Sequence, residues 1–206
     1  MASATYGTME VTLKNYRELI GEFNLMPAQA TKVINRTVGD FKKRGPGWVS
    51  QEVCKEYNIK KKEVTAAKTG TRNKAGTISI RGRRLDSLSL VYEGRLLTPT
   101  HFTMKPTSRP AGNRRYNISA KIKKTGGRKV LSSRAFLGHS GRAGTIQIPF
   151  QRVGESRLPI NAIKTLSIPQ MITNEQVGGR IHDRIEEELG KRFEHNLNQI
   201  MSRSGR

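Results

Sequence analysis

Apolar residues at Leu13, Tyr16, Leu19, Ile20 and Phe23 recur at helical spacing, with Lys14, Arg17, Glu18 and Glu22 left for solvent, and predict a first helix from Glu10 to Phe23. Pro27 suits the first turn of a second helix, where its missing N–H would be unpaired anyway. Ala30, Val33, Ile34, Thr37, Val38 and Phe41 continue one face of that helix, and Gly45-Pro46-Gly47 is expected to end it. A third short helix from Ser50 to about Tyr57 and one more turn at Lys60-Lys61-Lys62-Glu63-Val64 complete a helical part over residues 1–65.

The period then changes from helical to twofold. Ile78 and Ile80, then Leu88, Leu90 and Tyr92, then Phe102 and Met104, then Ile118, Ala120 and Ile122, then Ile146, Ile148 and Phe150 alternate with polar or basic neighbours. Such alternation predicts half-buried strands over residues 76–152. Gly82, Gly94, Pro99, Pro106, Pro110, Gly126-Gly127, Gly141 and Gly144 punctuate them as an antiparallel meander with hairpins.

Residues 157–173 follow neither period. Leu158, Ile160, Ile163, Leu166, Ile168, Met171 and Ile172 are irregularly spaced, Pro159 and Pro169 break helix and ladder alike, and Lys164 is the only charge between Leu158 and Asn174. The expectation is an extended apolar arm that covers its own core or a partner's groove. Beyond it, Val177, Ile181, Ile185, Leu189, Phe193, Leu197 and Met201 form a strict four-residue row on a helix over 174–202. Each step overshoots a turn by about 40°, so the row winds around the helix. Either the helix curves round its own domain or its two ends pack on different subunits. Gly178-Gly179 implies that the helix starts after them or that a neighbour approaches closely there. The sum is an α+β fold in one domain, with N-terminal helices, an antiparallel or mixed sheet with basic loops, and a long C-terminal helix.

Charge divides the 206 residues further. The net charge is +22, and residues 101–157 hold 13 Lys and Arg against one Asp or Glu, while residues 158–206 hold 7 against 6. A polyanionic partner, nucleic acid or an acidic protein surface, is therefore favoured near the middle of the chain. If strand alternation sends the apolar residues to one face, the other face and the loops become a basic surface: Lys60, Lys61, Lys62, Arg81, Arg83, Arg84, Arg114, Arg115, Lys121, Lys123, Lys124, Arg128 and Lys129. Tyr92 and Tyr116 are the candidate stacking groups for a nucleic acid held through its phosphates.

Candidate chemistry is sparse. No run approaches the ~20 apolar residues of a membrane span, and the N-terminus lacks a signal-peptide pattern, which predicts a cytosolic, soluble product with no membrane partner. Cys54 stands alone and is expected to act as a small buried hydrophobe. His101, His139, His182 and His195 share no i, i+3 or i, i+4 spacing, so neither metal nor cofactor is expected. Glu186-Glu187-Glu188 reads as a solvated helix face beside Arg184, Lys191 and Arg192. Gly138-His139-Ser140-Gly141-Arg142 departs from a nucleophile elbow, with its second glycine one residue early, and Gly126-Gly127-Arg128-Lys129 reads as a hairpin turn. No catalytic constellation emerges, and no enzymatic activity is expected.

The stretch RLPINAIKTLSIPQM, Arg157 to Met171, resembles the RLPI…SIPQM signature of the phage minor tail protein Z family, the tail completion proteins of lambda-like phages and prophages. The likeness extends, in the family's order, to ATKVINRT (Ala30–Thr37), VSQEVCKEYNIKKKEV (Val49–Val64), AFLGHSG (Ala135–Gly141) and FEHNL (Phe193–Leu197). Residues 66–130 match only loosely, and Thr165-Leu166 stands where the pattern has Gly-Pro. The resemblance implies a non-catalytic virion protein at the head-proximal end of the tail, made in the host cytoplasm and required for head–tail joining and DNA delivery. It implies a homomeric ring, commonly sixfold in similar proteins, that meets tail tube, tail terminator and head–tail connector proteins, with the tape measure protein and passive contact with genomic DNA as further expectations. Leu158, Pro159, Ile160, Ile163, Leu166, Ile168, Pro169 and Met171 would then bury against a neighbour, where charge would cost desolvation energy. The alternative from composition is a basic nucleic-acid-binding protein that contacts the phosphate backbone.

Overall fold

The computed structural model of the chain describes residues 5–13, 15–23, 25–65, 76–112, 115–140 and 146–204. The expected α+β fold is observed, with three small antiparallel sheets in place of one. The first joins β1 (Thr5–Val11), β3 (Leu88–Gly94) and β2 (Gly76–Arg81), with β3 central. The second is β4 (Thr103–Lys105), β5 (Ser119–Lys121) and β6 (Lys129–Val130), and the third is β7 (Ala135–Ser140), β8 (Ile146–Arg152) and β9 (Ile160–Ala162). Alternation located the inner strands. It could not show that they belong to separate sheets with no common basic face, because pairing is a non-local property.

Two 30-residue helices, α2 (Pro27–Glu56) and α5 (Glu175–Ser204), lie against each other and the first sheet. They run antiparallel: Asn196 near the end of α5 bonds Thr37 and Asp40 early in α2, while Arg184 near its start reaches Glu52 late in α2. Val177, Ile181, Ile185, Leu189, Phe193 and Leu197 are all buried. Five four-residue steps turn this row through about 200°, so its partners must change along the helix. Gly178 near its start faces Met9 of β1 and Ile172, α2 runs alongside, and Phe193 meets Tyr16 edge-on at 6.4 Å. Met201 has wound off the core and is 39% exposed, and Ile200 takes its place. The curved-core reading of the row therefore accounts for Val177 to Leu197 within one chain.

The N-terminal helix boundaries need correction. Thr5–Val11 is the edge strand β1, and α1 spans only Tyr16–Glu22. Val11 is buried opposite Leu88, so cross-strand packing outweighs the helical period in this segment. Gly45-Pro46-Gly47 does not end a helix either, since α2 runs through it to Glu56. An internal proline costs about 3 kcal/mol, but both flanks are held in the core, by Val33, Val38 and Phe41 before it and Trp48, Val49 and Val53 after it. Gly45 is needed for close approach: a Cβ there would collide with Ile80 of β2 and the Phe41 ring. The turn at Lys60–Val64 is present as α3 (Lys61–Val64).

The arm of residues 157–173 is extended over only part of its length. Thr165 N–H donates to the Leu97 carbonyl at 2.7 Å, Leu97 N–H donates to the Leu166 carbonyl at 3.1 Å, and the chain then turns into α4 (Ile168–Ile172). Ser167 caps α4 in a box with Gln170: Gln170 N–H donates to Ser167 Oγ, and Ser167 N–H donates to Gln170 Oε1. Pro169, expected to break helix, sits in the first turn, where proline is tolerated. Ile168, Met171 and Ile172 are completely buried.

At the start of α5 the helix includes both glycines, and the close-neighbour reading is the correct one. A Cβ on Gly178 would lie 3.1 Å from the Ile172 carbonyl oxygen, whereas one on Gly179 meets open space. Gly179→Ala should therefore stabilise the fold by up to about 1 kcal/mol through helix propensity. Gly178→Ala should give no gain, because Ile172 must move; chemical denaturation of the two variants separates them.

Candidate interaction surface

The most buried carboxylate is one that sequence reasoning passed over. Glu52 sits on the α5-facing side of α2 at 2% exposure, and its Oε1 accepts from Arg184 Nη1 at 2.7 Å and Lys55 Nζ at 2.8 Å. Arg180 Nε lies 3.8 Å from Glu52 Oε2, and its Nη2 lies 3.7 Å from Glu56, whose other oxygen is 3.4 Å from Lys123 next to β5. A chain of charges thus ties α2, α5 and the second sheet together. Burial pushes the Glu52 carboxyl up, but Lys55 and Arg184 outweigh it and hold it below the usual carboxylate range. The signal was present as an acid on the apolar side of the Val49–Val53 turn.

The predicted basic surface separates into two groups by what its members touch. Lys60, Lys61 and Lys62 stand exposed at α3 close to Lys123 and Lys124, because Lys123 bridges to Tyr57, Lys124 N–H donates to the Glu56 carbonyl, and the Lys61 and Lys124 charges both act on Cys54. Lys121, Lys129 and Arg128 continue this group on the second sheet, where Arg128 Nη1 donates to the Thr103 carbonyl. Arg81, Arg83 and Arg84 lie at the β2–β3 turn, where Arg84 and Arg17 both hold Asp86. Arg115 is exposed, and Arg114 lies outside the described residues. Tyr92 is 4% exposed within the core and cannot stack on a base. Tyr116 is half-buried, with its hydroxyl accepting from Leu137 N–H.

The candidate partner residues also divide. Ile168, Pro169 and Met171 are occupied by the chain's own core, and Ile163 and Leu166 are half-buried. Leu158 at 67% exposure, Pro159 and Ile160 stand free in the β8–β9 loop and the start of β9, with Val153 beside them. The third sheet is thinly covered. With the second sheet it shares a small cluster, Met104, Ile118, Ala135 and Leu137, while Phe136 and Phe150 stack half-buried at 6.1 Å and Ile146 is exposed.

At the junction of α3, the Pro99–His101 turn and the start of β8 lies an open cleft of about 600 Å3. His101 Nδ1 is 3.1 Å from Glu63 Oε2 within it. Among the described residues the His101 ring is hydrogen-bonded to Glu63 and to no hydroxyl or thiol, and no three His, Cys, Asp or Glu side chains converge as a metal site. Gly126-Gly127 lies in the β5–β6 connection, as a hairpin requires, and Glu187 pairs with Lys191 at 2.6 Å on an exposed helix face. Cys54 is only half-buried, its Sγ 3.3 Å from the Ile59 carbonyl oxygen, and burial raises its pKa. Among the described residues no helix is long and apolar enough to cross a membrane.

No family model, curated protein or solved structure matches this chain.

Glu52→Ala should cost about 1–3 kcal/mol, because it removes the acceptor shared by Lys55 and the partly exposed Arg184. Its lowered pKa means that the Glu52 contribution is complete above the ordinary carboxylate range and is lost as pH falls through the depressed folded value. The stability gap between the native chain and Glu52→Gln should therefore narrow on acidification, as measured by urea titrations at stepped pH.

Proposed function

We propose that this chain is a tail completion or neck protein of a tailed bacteriophage, a non-catalytic virion component that finishes the head-proximal end of the tail so that it joins the head and delivers DNA. The observation that carries the assembly role is the placement of the uncovered apolar side chains. Val153, Leu158 and Ile160 stand exposed together at the β8–β9 end of the thinly covered third sheet and Ile146 stands exposed at the other end of β8, while the body's core is sealed by α2, α4 and α5. Exposed apolar side chains grouped together, as Val153, Leu158 and Ile160 are, mark a protein contact. The specific assignment to the tail rests on the RLPI…SIPQM resemblance, whose RLPI half supplies the exposed Leu158 to Ile160 and whose SIPQM half is the capped helix α4.

The partners in this reading are further copies in a ring, tail tube and terminator proteins, head–tail connectors and the tape measure protein. The basic residues around α3 and the second sheet would face acidic neck proteins or the DNA path. A second reading, a phosphate-binding protein, draws on the exposed Lys60, Lys61, Lys62, Lys124 and Lys129, which meet no carboxylate among the described residues. That reading requires log K for DNA to fall steeply and linearly with log salt.

Electron microscopy of particles from a phage or prophage lacking this gene tests the leading reading. It expects separated heads and tails, or joined particles that fail to deliver DNA; normal infectious particles would remove it. Leu158→Asp with Ile160→Asp should block incorporation into tails while the purified chain keeps its native circular dichroism and melting temperature. Ile168→Asp should instead unfold the monomer, because it places a charge in the core.

A further inference from the structure

We propose that copies of this chain associate head to tail, the β8–β9 loop of one copy (Val153–Ile160) seating in the cleft at the opposite end of β8 in the next. This deepens the proposed function by naming the contact surfaces within the ring, and it draws on that reading only for where the assembly sits.

The loop is a preformed knob. Val153 N–H donates to the Pro159 carbonyl at 3.1 Å and closes its base, which reduces the chain ordering that docking requires. Val153 is 61% and Leu158 67% exposed, with Glu155 and Arg157 beside them. The cleft is its complement. The buried Ile59, Phe102 and Met104 line it with apolar surface, Ile146 stands exposed at its edge, and the exposed Lys60 lies near Glu63, which His101 holds within the cleft. Glu155 can meet Lys60, and Arg157 can approach the Glu63 carboxylate that His101 already holds, so the two surfaces are complementary in charge as well as in apolar character.

The strand between them decides that the contact is intermolecular. Ile146 opens β8 at the cleft, and Val153 follows its last residue, Arg152. At about 3.4 Å per residue, the seven steps from Ile146 to Val153 set knob and cleft about 24 Å apart, and β8 is hydrogen-bonded to β7 over Ile146–Gln151 and to β9 over Phe150–Arg152. A strand paired along its whole length cannot fold back, so the knob cannot reach the cleft of its own chain, and a knob-to-cleft contact joins two copies. Two different patches meeting in this way form a heterologous contact, which closes a ring or continues as a filament.

Single-cysteine chains test the arrangement, with Cys54→Ala removing the lone native thiol. Leu158→Cys marks the knob and Thr107→Cys, which also lines the cleft, marks the receptor. With a short bismaleimide, the mixture should give cross-linked dimers, each variant alone should give none, and the double variant should give a ladder. Dimers from Leu158→Cys alone would indicate a symmetric contact and overturn the inference. So would the absence of cross-links in the mixture at about 1 mM chain, where even weak association is populated.

An independent test keeps the native thiol. In sedimentation equilibrium, Lys60→Glu and Glu155→Lys should each weaken self-association about tenfold, and the double variant should recover most of the loss. Equal losses without recovery would also overturn the pairing. Purified-chain cross-linking and the gene-deletion phenotype are separate readouts, so the contact and the tail role can fail independently.

Discussion

The winding apolar row of α5 is the constraint around which the body is organised. A row with four-residue spacing cannot stay on one side of a straight helix, so a single flat layer would leave one end of it in water. The chain solves this with partners of different kinds at successive heights: β1 and the end of α4 at the N-terminal turns, α2 along the length, and α1 near Phe193. This is why α4 must be a helix capped by Ser167 and tucked under the sheet. It is also why α2 continues through Pro46, since ending it there would uncover the first half of α5.

Charge is placed by the same geometry. A helix pair packed this closely leaves few sites for acids, and the chain puts one, Glu52, into the seam with cations from both helices around it. Such an arrangement contributes little net stability compared with an apolar pair, but it fixes register, because a sliding of α5 would leave a buried charge unmatched. Asn196 with Thr37 and Asp40 does the same near the other end. Most of the excess positive charge is left outside, on α3 and on strands and turns too short to bury their lysines and arginines.

The second and third sheets are where the chain has least core of its own. Their shared cluster is small, strands β6 and β9 have two and three residues, and the strand with the clearest apolar alternation, β8, keeps Ile146 largely exposed. Sheets of this size depend on what covers them. The apolar groups left free there are concentrated at the two ends of β8, which gives the molecule a polarity along that strand.

Local periodicity determined much in this protein: the long C-terminal helix, the extra turn at α3, the half-buried strands at Ile78, Leu88, Met104 and Ala120, and the α+β class. Composition determined where charge accumulates. These features depend on neighbours in sequence, so sequence can state them. Three matters belonged to tertiary structure alone. Whether Gly45-Pro46-Gly47 breaks a helix depended on β2 approaching Gly45 and on α5 holding both flanks. Whether Glu10 and Val11 read as helix or strand depended on β3 lying beside them. Which half of Arg157–Met171 is free to meet a partner depended on α5 and the first sheet claiming Ile168 and Met171 and leaving Leu158 and Ile160. An apolar residue states only that it will be buried; the packing of distant segments decides whether its own chain supplies the cover.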